Sequence, residues 1–112
     1  MSRPRTRAAI LPGTLDLLIL RTLLLGPIHG HGIAKHIRQT SEEILQVEHG
    51  SLYPALQRLE RDGWITSRWE QDARRRDMKF YRLTPAGRQQ LSVEESRWRA
   101  IVRAMTRMLR PV

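Results

Sequence analysis

The chain has 112 residues, 40% hydrophobic and 28% charged, with a formal net charge of +9. That describes one globular domain with a modest core and an affinity for polyanions: DNA, RNA or an acidic membrane surface. It contains no cysteine, which excludes a disulfide framework, a thiolate zinc site and a thiol redox sensor.

Residues 1–11 carry Arg3, Arg5 and Arg7 without an acid and read as a flexible basic arm. They lack the apolar core and small-residue cleavage site of a secretory leader. Pro12-Gly13-Thr14 opens a first helix, with Thr14 as its N-cap. Leu15, Leu18, Ile19 and the residues 22–25 make that helix apolar on most sides. Its run of about eleven residues contains Asp16 and Arg21, against about 20 apolar residues for a membrane span. It reads as a core helix, and the expected compartment is the cytoplasm. Gly26-Pro27 stops it.

A short second helix is expected from about Gly32 to Thr40, with Ile33, Ala34 and Ile37 facing inward and Lys35, His36 and Arg38 outward. Residues 44–47 are a short apolar run suited to an extended strand. A third helix follows, capped by Ser51, with Leu52, Leu56 and Leu59 as its buried stripe. Pro54 is tolerated if it sits close behind the cap, where its missing N–H is unpaired anyway. Gly63 ends the helix in a left-handed conformation. Residues 64–69 and 78–83 alternate like the strands of a hairpin, with a polar tip at 70–77 that contains Arg74, Arg75 and Arg76. Trp64 and Trp69 are expected to anchor this hairpin to the body. Thr84-Pro85 starts a last helix. From Trp98 its apolar residues Ile101, Met105 and Met108 are spaced 3, 4 and 3 apart, with Leu91 further upstream on the expected seam.

Three helices, a basic hairpin and a long amphipathic helix make a mainly α fold with a small β-hairpin, a winged helix-turn-helix over residues 12–84. The helix from 85 to 112 has a seam that so small a body cannot bury, which points to a twofold partner. The third helix would enter a DNA major groove, and the wing would reach phosphates or a minor groove.

Four segments carry a resemblance: LPGTLDLLIL, GPIHGHGIAKHI, GSLYPALQRLERDGWI and KFYRLTPAGR. In order and spacing, over roughly residues 11–90, the chain resembles the PadR family of bacterial transcriptional regulators. The resemblance implies a homodimeric winged helix-turn-helix repressor of the short form, with one C-terminal helix. The recognition helix would be 51–62, the wing 64–83 and the dimer helix the segment from Pro85 onward. It also implies release by small aromatic or cationic effectors. His31 departs from the pattern, which usually has Tyr after the glycine.

The residues expected to contact double-stranded DNA are Lys35, Ser51, Tyr53, Gln57, Arg58, Arg74, Arg75, Arg76 and Lys79. Leu91, Trp98, Ile101, Met105 and Met108 are expected at the dimer interface. By analogy with multidrug-sensing members of the family, Trp98, with Met105 beside it, would line an effector site. No cofactor is expected. Of His29, His31, His36 and His49, only the first two are close in sequence, too few for a metal site. No catalytic constellation stands out, so the chain is not expected to be an enzyme. The competing expectation is a nonspecific nucleic-acid-binding or ribosome-associated protein, for which charge alone would suffice. Mixed hydrogen-bonding groups at Tyr53, Gln57 and Arg58 favour base readout instead.

Overall fold

The computed structural model describes residues 8–9 and 13–111; Arg3, Arg5 and Arg7 lie outside them. Helix α1 (Thr14–Thr22), prolonged by a 3-10 turn (Leu23–Leu25), runs through the centre, with Ile19 and Leu20 wholly buried. Its N-cap is Gly13, at φ +85°, and no side chain caps it. Thr14 is therefore the first helical residue rather than the expected cap. Helix α1 packs against α3 (His49–Arg61) and α4 (Pro85–Met108), and α2 (Gly30–Thr40) closes the core through Ile33 and Ile37.

Two strand pairings were not legible as hairpins. Strand β1 (Ala8–Ala9) runs parallel to β3 (Leu45–Gln46), so the end of the expected arm is tied to the body. Strand β2 (Ile28–His29) pairs antiparallel with β5 (Asp77–Leu83), which also pairs with β4 (Ile65–Gln71). The wing is thus the outer part of a three-stranded sheet. A two-residue strand is too short to show the alternation that betrays longer ones.

Helix α3 begins at His49 with Glu48 as N-cap, three residues before the expected cap Ser51. Pro54 consequently lies inside the helix and withholds one intrahelical hydrogen bond. Leu52, Ala55, Leu56 and Leu59 bury against the body, deep enough to hold the helix despite that loss. The C-terminus closes as expected. Gly63 adopts φ +80°, its N–H donates to the Glu60 carbonyl, and the Trp64 N–H donates to the Leu59 carbonyl, the paired bonds of a Schellman turn.

Directly after that turn, three elements are locked together. The Thr84 N–H donates to the Trp64 carbonyl (3.1 Å), and the Thr84 hydroxyl donates to the Gly63 carbonyl (2.7 Å). The same hydroxyl caps α4 by accepting from the Gly87 N–H at 3.0 Å. Gly87 lies against the backbone of Trp64 so closely that a Cβ would stand 2.0 Å from its carbonyl oxygen.

Gly87→Ala should therefore force the start of α4 off the wing, at a cost of about 3 kcal/mol or more. Gly50→Ala, where a Cβ meets nothing within 4 Å, should stabilise α3 by about 0.5–1 kcal/mol. Urea unfolding of both variants checks the contrast; equal effects would contradict the tight junction.

Candidate nucleic-acid interface

Because Leu52, Leu56 and Leu59 point inward, the opposite face of α3 presents Ser51, Tyr53 and Gln57 to solvent. Tyr53 and Gln57 form one wall of an open cleft of about 390 Å³, whose other walls are His29 to His31 and the wing residues Trp69, Asp77, Met78, Lys79 and Tyr81. Recognition helix and wing thus share one concave face. Trp69 is 67% exposed and lines that cleft, so it does not anchor the wing as expected. Trp64 does, packed against the core.

The cleft's shape follows from small local choices. The Tyr53 ring lies over Gly30, where a Cβ would meet its Cε1 and Oη at 3.0 Å. The His49 ring stacks on Tyr53 with centroids 5.8 Å apart. At the floor Tyr81 is buried, which raises its pKa above the ordinary tyrosine value, helped by the negative charge of Glu60. The Lys79 ammonium lies 5.8 Å from the centre of the Tyr81 ring, a cation held on an aromatic face and directed to the cleft. Lys35 is exposed on α2.

Asp72 builds the wing tip, and the sequence reading missed it. One carboxylate oxygen accepts from the N–H groups of Arg74 (2.8 Å) and Arg76 (2.9 Å), and the other holds the Arg76 guanidinium at 2.8 Å. These bonds, the Arg76 amide foremost, keep the Asp72 carboxyl below its ordinary pKa. They also leave Arg75 at φ +62°. Arg74 and Arg75 project without an acidic partner among the described residues, whereas Arg76 is part of the loop's own scaffold. An Asp two residues before a turn's arginines is the signal that would have found this.

Two further expected contact residues are engaged within the protomer. Arg58 is not a free cation of the reading face: its guanidinium holds Asp16 of α1 at 2.5 Å, because it stands on the flank of α3 that crosses α1. Leu91 is buried at 4% exposure in the protomer's own core, so it offers little to a second subunit. Further along α4, by contrast, Trp98, Ile101, Met105 and Met108 are 41%, 45%, 54% and 81% exposed. Trp98 lies between two grooves of about 330 and 270 Å³ against α1, lined by Leu17 together with Glu94 and Ile101 in one and Glu95 in the other.

The model of the "Transcriptional regulator PadR-like family" matches residues 19–93. A "Negative transcriptional regulator PadR" from Bacillus subtilis is 30% identical over 65% of this chain, which spans only 40% of that longer protein. An uncharacterised protein of Lysinibacillus sphaericus is 30% identical over 82% of this chain and 84% of its own length. Among solved structures, a PadR family transcription regulator from Clostridium difficile is 32% identical with a TM-score of 0.74, covering 86% of this chain and 98% of that one. A transcriptional regulator from Clostridium thermocellum is 28% identical with a TM-score of 0.79, covering 88% and 95%.

His29 supplies a pH test of the site's frame. Its Nδ1 accepts from the Gly32 N–H at 3.0 Å and so caps α2 in the neutral form. Burial first, then the nearby His31 and Arg76, lower its pKa below 6.5. Between that lowered value and 6.5 the unfolded chain binds more protons, so this contribution to stability is lost as pH falls. His29→Asn keeps a capping oxygen without titrating. It should lose less stability between pH 7 and pH 5 than wild type in urea unfolding; identical losses would contradict the cap's role.

Proposed function

The chain belongs to the PadR-like family of transcriptional regulators, a family of regulators and not of enzymes, and from that premise we propose that it is a homodimeric repressor that reads duplex DNA. The observation that carries this reading is the shared cleft, with the hydrogen-bonding side chains Tyr53 and Gln57 of α3 on one wall and Lys79 of the wing on the other. Ser51, Tyr53 and Gln57 read base edges, while Arg74, Arg75 and Lys79 hold phosphates. Arg58, spent on Asp16, positions α3 on α1 instead.

The dimer reading rests on the exposed seam Trp98, Ile101, Met105 and Met108. A twofold axis there would set two recognition helices about 34–36 Å apart, one turn of DNA. The same seam suits a planar aromatic or cationic effector. Trp98 offers a ring face between the two grooves against α1, and Met105 an exposed, adaptable neighbour. An effector that prefers a dimer angle mismatched to the DNA repeat would lower operator affinity, typically by about 1–3 kcal/mol.

Gln57→Ala should cost about 1–3 kcal/mol on the upstream DNA of the protein's own gene and little on scrambled duplex. Arg74→Ala with Arg75→Ala should weaken both alike and flatten the salt dependence. Titrations at fixed ionic strength distinguish the two. If Gln57→Ala weakens both duplexes equally, the protein is a nonspecific binder.

Ile101→Glu should yield monomers in sedimentation and lose specific binding; a variant that stays dimeric would refute the seam. Trp98→Ala should abolish quenching of tryptophan fluorescence by planar cations in excess of the background from Trp64 and Trp69. Unchanged quenching would return Trp98 to a packing role.

A further inference from the structure

From residue 96 to 111 every side chain of the C-terminal segment is exposed, and no acid follows Glu95. Glu94 and Glu95 engage Arg97 (3.4 Å), Arg99 (3.1 Å) and, more distantly, Arg21 (3.9 Å). Arg103, Arg107 and Arg110 have no acidic partner among the described residues. Arg99, Arg103 and Arg107 recur every fourth residue, a rise of about 6 Å each, along one flank of α4. Arg103 and Arg107 stand two residues either side of Met105, which puts both about 160° around the helix from the apolar seam.

None of Arg99, Arg103, Arg107 and Arg110 lines the cleft formed by Tyr53 and Gln57, and α1 packs against both α3 and α4. An acidic membrane surface fits the pattern poorly, since a helix lying in the interface needs its apolar side turned toward the bilayer that its cations touch. Here the two sides are opposed. A row of guanidinium groups at a near-regular helical spacing matches a polyanion of regular charge spacing, and arginine bonds phosphate through two parallel N–H groups.

We propose that Arg103, Arg107 and Arg110, with Arg99 beside them, form a second, sequence-independent site for the phosphate backbone of DNA, which lets the protein bridge two duplex segments. The first segment rests on the DNA-binding reading given above; the second does not. The test immobilises the upstream duplex, loads the protein and measures capture of a labelled, unrelated duplex at low salt. Wild type should capture it, and the variant Arg103→Ala/Arg107→Ala/Arg110→Ala should do so about tenfold less. Its affinity for the upstream duplex alone should change less than about twofold, and it should sediment as wild type does.

A second arm isolates the site from the first. A Gln57→Ala/Arg74→Ala/Arg75→Ala variant should retain weak, salt-sensitive binding to any duplex, and adding the three C-terminal substitutions should abolish it. The proposal is overturned if wild type captures no second duplex, or if the triple variant captures as well as wild type. Equal loss of upstream binding would assign these arginines to the first duplex. Altered sedimentation would assign them to the subunit interface. Both results would overturn it too.

Discussion

The structure depends on one junction, where the Trp64 carbonyl receives the Thr84 N–H and Gly87 closes against the same peptide. Three elements meet there: the end of α3, both strand ends of the wing, and the start of the long C-terminal helix. Each bond is ordinary in strength, about 1 kcal/mol net. Together they remove the freedom with which a hairpin and a terminal helix would otherwise swing. The Schellman turn at Gly63 sets the direction in which the chain leaves α3, and the Thr84 hydroxyl, bonded to Gly63 while capping α4, returns it to the same point. A change in the direction of α4 would therefore be carried to α3 and the wing as a rigid rotation.

Much of this was legible in the residues. The leucine stripe of α3, the left-handed Gly63, the hairpin and the Thr84-Pro85 helix start all rest on local rules of periodicity and capping, and the structure has them. What escaped was non-local or too short. Strand β2 has two residues and exists through its pairing with Tyr81 and Phe80. The Arg58–Asp16 pair joins positions 42 apart in sequence, so its side chain looked like a free cation. Leu91 shares the apolar periodicity of α4, but only the packing of its first turns on α1 and β5 tells a core position from a seam position. The helix starts at Gly13 and Glu48 lack side-chain caps, so the capping rule had nothing correct to find there, while α2 starts two residues earlier than expected on a histidine cap, His29, that the rule does not look for.

The distribution of charge follows the same division of labour. The central helices are nearly balanced, and their acids are used: Asp16 on Arg58, Glu60 on the Ser67 hydroxyl. The excess is carried by Arg3, Arg5 and Arg7 at the N-terminus, by the wing and by the last helix. At the tip Asp72 sacrifices Arg76 to hold the loop, so that Arg74 and Arg75 are presented from an ordered frame. Fewer cations on a fixed loop lose less entropy on meeting a phosphate than more cations on a loose one.

The claim that recognition helix, wing and α4 form one body is tested most directly by native-state hydrogen exchange at the junction. The account predicts that the amides of Trp64, Thr84 and Gly87 exchange only through global unfolding, with the same opening free energy as Leu20 and Leu56 in the buried helices. Exchange of the Thr84 and Gly87 amides through a lower-energy opening, while Leu56 stays protected, would show that the wing and α4 swing free of α3, and would contradict it.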